Sequence, residues 1–244
     1  MVYITGDVHG DISFFKNPKL RKLTEDDTLI ICGDFGFLWD GSSREKKALK
    51  ELQKKKYTIC FVDGAHENFD MLGEYRPYRY KGGNAHKIGD NIFHLCRGEI
   101  FTFDKKTFFV MGGGESDDAD MRTPGETWWK EEMPSKEEMM NGARNLKDAK
   151  FTVNYVLTYE APAIAKDFIR LHNNQNMHIT SLNTYLQELM NSVDYSHWYF
   201  GSLHMDINIS KKMTAVFNEI IKIKYTIHKK RLPEREAFFV IGYE

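Results

Sequence analysis

The chain has 244 residues, 41% hydrophobic and 14% aromatic, enough to bury one large core in preference to two small ones. Its 34 basic and 35 acidic side chains give a formal charge of -1, so no whole-molecule field draws in nucleic acid or an anionic membrane. No stretch approaches the ~18 apolar residues of a membrane span, and MVYITGDVHG lacks a leader pattern, so a cytoplasmic protein with no membrane partner is expected.

One pattern recurs along the chain: a short β-branched or aromatic run that ends abruptly in glycine and polar residues, the signature of a strand meeting a loop. Residues 2–5 end in GDVHG, 28–32 in GDFG and 57–62 in DGAHEN, with a helical period over 43–55 before the third run. Residues 92–111 read as successive strands with a turn at 104–106, so part of the structure is antiparallel. Run 107–111 ends in GGGES and opens 112–134, the longest stretch without periodicity, which is expected to overhang a site. A helix over 135–146 leads to run 154–158, which ends in YEAP. A second helix, over 181–193, puts Leu182, Tyr185, Leu186, Leu189 and Met190 on one face. The last run, 197–200, ends in GSLH. Alternating strands and helices imply α/β layering with mixed sheets. Cys32, Cys60 and Cys96 fall inside apolar runs, outside disulfide or ligand spacings, and are expected in the core of a protein from a reducing compartment.

In open α/β sheets, ligands bind beyond the carboxyl ends of strands, where loops converge on a rigid frame. Those ends carry Asp7, His9, Asp34, His66, Glu67 and His204. An aspartate after a strand-ending glycine is ordinarily a turn former or helix cap, and His204 alone reads equally as a histidine satisfied by backbone. Two successive ends reading Gly-Asp-x-His-Gly and Gly-Asp-Phe-Gly are harder to assign to capping. Two carboxylates with two imidazoles suit Mn, Fe or Zn better than Ca or Mg.

The motifs GDVHG at 6–10, GDFG at 33–36, GAHEN at 64–68 and GSLH at 201–204, in this order, resemble the calcineurin-like metallophosphoesterases, and 128–138 resembles a bacterial subgroup. The resemblance implies a four-layer αββα sandwich with two mixed β-sheets, forming a single domain whose segment 222–244 extends beyond the clear likeness. It also implies two metals bridged by an aspartate and by a hydroxide that attacks phosphorus. Carried over by position, Asp7, His9, Asp34 and His204 match the ligands of the first metal, and Asp34 the bridge. His66 matches the histidine that stabilises the phosphoryl oxygen or protonates the leaving oxygen. The remaining ligands of the second metal are replaced by Ala65, Tyr159 and Ser202. At most one tightly held divalent or trivalent ion, Mn, Fe or Zn, is therefore expected. Glu67, Glu160, Asp63 and Asp206 lie near the vacated positions in sequence, although Glu160 should face away from Tyr159's side of the strand.

Arg97, Arg122 and Arg144 are candidates to contact phosphate, each more ordinarily a surface residue. Trp128 and Trp129 could stack a base or anchor their loop, and Gly112, Gly113 and Gly114 could present amides to a phosphate. Lys222, Lys224, Lys229, Lys230 and Arg231 form a basic tail that reads as a solvated face or a contact for nucleic acid or a partner, and 237–244 reads as a strand or an oligomer contact. Two functions are open: a one-metal hydrolase of phosphate esters, or a non-catalytic relative that binds a nucleotide, phosphate or partner protein.

Overall fold

The structure is a computed structural model that describes residues 1–173 and 178–223. Strands β1 (Val2–Thr5), β2 (Thr28–Cys32) and β3 (Thr58–Val62) pair in parallel, with helix α1 (Ser43–Gln53) before the third and the short α2 (Phe69–Gly73) after it. A hairpin follows, β4 (Pro77–Tyr80) and β5 (Gly83–Lys87), and then β6 (Ile92–Leu95), which pairs antiparallel with β5 and parallel with β3. The hairpin's tight turn is Lys81–Gly82, both at positive φ, as a two-residue connection between twisted strands requires.

The chain then changes sheets. Strands β7 (Ile100–Phe103) and β8 (Lys106–Met111) form a second hairpin, and after helix α3 (Lys136–Asp148) strand β9 (Tyr155–Thr158) joins β8 in parallel. Helices α4 (Ala163–Asn173) and α5 (Ser181–Ser192) lead to β10 (His197–Phe200), parallel to β9. Strands β11 (Ile207–Ser210) and β12 (Met213–Ala215) complete this sheet, and β13 (Ile221–Lys222) returns to pair antiparallel with β1. The two orders are β13-β1-β2-β3-β6-β5-β4 and β11-β12-β10-β9-β8-β7. Residues 92–111 are thus successive strands as expected, but β6 belongs to one sheet and β7 and β8 to the other.

Period-two alternation explains the layering. Val2, Ile4, Ile30, Cys32, Cys60 and Val62 of the first sheet face Phe101, Phe108, Val110, Tyr155 and Leu157 of the second. The intervening Leu29, Ile31, Ile59 and Phe61 point outward and pack with Leu52 of α1 and Leu72 of α2. On the far side Phe109, Val156, Trp198 and Phe200 meet Leu146, Leu182, Leu186 and Leu189 of α3 and α5. The central strands of both sheets are buried on both faces, giving the four-layer αββα sandwich.

Helix starts follow the capping chemistry. Ser42 accepts from the amide of Glu45, Ser135 and Glu138 form a reciprocal capping box, and Thr180 pairs likewise with Asn183. Cys32 and Cys60 are core residues as expected, whereas Cys96 is half-buried and lines a cavity. Lys222 lies in β13 with its ammonium 5.8 Å from the Tyr3 ring centre, so it is not part of a detached basic face. The remaining tail residues, Lys224 to Arg231, and segment 237–244 lie outside the described residues. No helix among those described is long and apolar enough to cross a membrane.

Candidate metal centre

The parallel strands of both sheets end on one side of the sandwich, and their following loops converge there. Asp7 and His9 follow β1, Asp34 follows β2, His66 follows β3, Tyr159 follows β9, and Ser202 and His204 follow β10. One ligand atom from each of Asp7, His9, Asp34 and His204 lies within 4.8 Å of all the others. The Nε2 atoms of His9 and His204 are 2.9 Å apart, His204 Nε2 stands 3.1 Å from Asp7 Oδ2, and His9 Nδ1 is 3.8 Å from Asp34 Oδ2. His9 and His204 both take positive φ, at 49° and 47°, at a local cost of order 1 kcal/mol each.

Asp7 supplies the test of fit. Its carboxylate is buried, and apart from His204 Nε2, 3.1 Å from Oδ2, no side chain is placed to hydrogen-bond its oxygens. Burial pushes this carboxyl up to about 7; hydrogen bonding to His204 opposes the rise and Asp34's charge adds to it. A buried carboxylate with so few partners, ringed by two imidazoles and a second carboxylate, has the donor set and the unmet need of a transition-metal site.

Asp34 differs. Burial would raise its pKa, but the hydrogen bond and charge of His66 hold it below the usual range. Its Oδ1 accepts the His66 amide at 2.8 Å, and its Oδ2 accepts from His66 Nδ1 at 2.9 Å and from the Tyr159 hydroxyl at 3.2 Å. A Cβ at Gly64 would overlap the Asp34 carboxylate and amide, so only glycine lets the β3 loop close this tightly over the ligand. The same hydrogen bond to Asp34 raises the pKa of His66, with burial opposing. His66 Nε2 points outward, 3.7 Å from Asp118 Oδ1.

At the three replaced positions, Ala65 is buried and offers no donor atom, while Ser202 Oγ is buried without a hydrogen-bond partner. Burial and the neighbouring Asp34 push the Tyr159 phenol well above its ordinary value, so it stays neutral and donates. The four acidic residues near these positions in sequence are engaged elsewhere. Glu67 accepts the amide of Phe35, and Asp63 pairs with His94 and Arg97. Glu160 turns away, as strand alternation requires, to Lys166 and Asn183, and Asp206 accepts the amides of residues 217–219.

A cavity of about 490 Å³ opens beside His9 and His66, lined also by Trp39, Asp40, Arg44 and Arg122. Arg122 comes from segment 112–134, which does overhang the site, and it holds Asp118 at 2.8 Å. The other two arginines stand elsewhere. Arg97 is buried against Asp63 and Glu138, and Arg144 is exposed on α3. Trp129 anchors its loop, donating to Asp70 at 2.8 Å and meeting Trp39 edge-on. The amides of Gly113 and Gly114 are taken by Asp63 and Glu132, which leaves neither for a phosphate. Trp39 and Arg44, which line the cavity, and Asp118, which stands near His66, escaped the sequence reading because they come from loops and a helix start with no periodic pattern.

A two-sheet sandwich that gathers aspartates and histidines from the carboxyl ends of parallel strands defines the metallophosphoesterase class. The family model of the calcineurin-like phosphoesterases matches residues 1–207, and the chain belongs to that family. Among solved structures, a serine/threonine phosphatase from Saccharomyces cerevisiae with similarity to human phosphatase PP5 aligns at 13% identity and a TM-score of 0.36. That alignment covers 88% of this chain and 66% of the other. The comparison with curated proteins gives no match.

Proposed function

We propose that the protein is a phosphate-ester hydrolase that works with one tightly held transition-metal ion. Asp7, His9, Asp34 and His204 would hold the ion, and His66 would act on the leaving oxygen. The observation that carries this reading is the disposition of His66: its Nδ1 is tied to Asp34, its Nε2 is not, and the residue lines the cavity. A bound ion of this kind supplies Lewis-acid stabilisation of phosphoryl charge and acidifies water.

The remaining work falls to the chain's own side chains. Asp34 fixes the His66 tautomer by accepting its Nδ1 proton, and it favours the imidazolium, so Nε2 can carry a proton to the departing oxygen. Arg122 and Arg44, whose planar forks match phosphate oxygens, line the cavity and would orient the ester. Trp39 offers an aromatic wall for an organic substituent. The substrate class is thus a phosphate ester with a flat or apolar group.

A second reading is favoured by Tyr159. Its hydroxyl donates to Asp34 Oδ2, so the carboxylate that would be shared with a second ion is already engaged by a neutral phenol. A protein so altered could bind a nucleotide or phosphate without turnover.

Manganese-dependent hydrolysis of an aryl phosphodiester and an aryl monoester separates the two. The hydrolase reading requires turnover in the natural protein that falls at least a hundredfold in His66→Ala, within the range of general acid catalysis. A silent natural protein that phosphate or a nucleotide nonetheless protects from heat would establish the binding reading instead.

A further inference from the structure

We propose that the β5–β6 hairpin carries a separate transition-metal site of the zinc type, formed by His86, His94 and Cys96. The register of the sheet creates it. His94 and Cys96 are two apart and therefore share a face, while His86 is the direct cross-strand partner of His94. Their Nδ1 atoms are 3.1 Å apart, and one donor atom from each of the three residues lies within 4.8 Å of the others. Two nitrogens on a tetrahedral zinc stand about 3.3 Å apart, and a nitrogen and a sulfur about 3.5 Å, given bonds near 2.0–2.3 Å. The three side chains therefore reach a common ion with adjustments of rotamer size.

The second observation is on the far side of His94. Its Nε2 is 2.8 Å from Asp63 Oδ1, and Asp63 is fully buried with its other oxygen held by Arg97 at 2.6 Å. A carboxylate behind an imidazole puts the proton on Nε2 and turns the Nδ1 lone pair toward the partner ligand, the arrangement found behind metal-binding histidines. A cavity of about 510 Å³ opens over His86, His94 and Cys96, which leaves room for a water or small ligand at the fourth position. Two imidazoles and one thiolate select zinc or cobalt over magnesium or calcium. Asp63 directly precedes the loop of Gly64, Ala65 and His66, so an ion here would brace β5, β6 and the end of β3 beneath the candidate active site. The inference does not depend on the function proposed above.

Cobalt(II) loaded into the full-length protein provides the test, because of the two ligand clusters among the described residues only this one contains sulfur. A thiolate-to-cobalt charge-transfer band should appear in the natural protein and vanish in Cys96→Ser. It should persist in an Asp7→Asn, His9→Gln double variant. His86→Gln, at a half-exposed strand position, should weaken binding on the order of tenfold or more, measured against a zinc-competing chromophore. Zinc should also shield Cys96 from a thiol reagent that the buried Cys32 and Cys60 do not meet. Absence of the band in the folded natural protein, or its survival in Cys96→Ser, would leave the His86–His94 contact an ordinary hydrogen bond and overturn the proposal.

Discussion

At Asp34 a single carboxylate oxygen, Oδ2, takes the imidazole of His66 and the phenol of Tyr159. Two hydrogen-bond donors, the phenol neutral and the imidazole with its protonated form favoured, thus stand on the carboxylate that the family's two-metal site would share between ions. Their geometry depends on the tight turn after β3, where Gly64 lies against the Asp34 carboxylate. Gly64→Ala should force ligand and loop apart, and a displacement near 1 Å at such a centre costs about a hundredfold in rate. Manganese-dependent turnover of the variant, beside its thermal unfolding, checks this. Unchanged turnover in a folded variant would show that Asp34 and His66 need no such closure. At this scale much of the candidate site was legible, because Gly-Asp-x-His-Gly and Gly-Asp-Phe-Gly together put candidate ligands at two successive strand ends, and Asp7, His9, Asp34 and His204 do lie together. Tyr159 became informative only through a resemblance that says what ought to stand there. Cys96, expected in the core, is half-buried at a cavity: Ile-Phe-His-Leu-Cys has the pattern of a core strand, and His86 lies across an intervening turn.

Among the elements, β10 links the site to the protein's opposite end. His204 follows its carboxyl end, and His197 opens it, with Nε2 2.8 Å from the Thr214 hydroxyl of β12 and the ring 4.4 Å from that of Tyr199. Burial lowers the pKa of His197 below its ordinary 6.5, so the unfolded chain binds the proton more readily. Its stabilising contribution is then complete above about pH 6.5 and is lost as pH falls through the folded value. The stability gap between the natural protein and His197→Gln should accordingly narrow between pH 7.5 and pH 5, read from urea midpoints at each pH. A gap that widens on acidification would contradict the sign. Strands and helices of this kind were legible from period and capping. The β4–β5 hairpin was not, because Pro77–Tyr80 lies exposed at a sheet edge and its polar, unalternating sequence hides the strand. Its Lys81–Gly82 turn, followed by Gly83, was the signal available.

For the whole molecule, two sheets whose central strands are buried on both faces account for what sequence could and could not yield. A strand with apolar residues on both faces reads the same in either sheet, so mixed sheets could be inferred while the partition of β6 from β7 could not. The crossing between sheets occurs at 96–99, where Gly98 takes φ 74° and Arg97 turns inward to Asp63. Convergence of both sets of strand ends on one side is what brings His9 and His204, 195 residues apart in sequence, within 2.9 Å of each other. The central claim, that this assembly keeps one metal site and has replaced the other, has a direct spectroscopic test. Two manganese ions about 3.5–4 Å apart couple magnetically, whereas isolated ions do not. Electron paramagnetic resonance of the manganese-loaded natural protein should show uncoupled ions only, and the Ala65→Asn, Tyr159→His, Ser202→His variant should show a coupled pair. A coupled pair in the natural protein would contradict the account, as would a variant that binds a second equivalent without coupling.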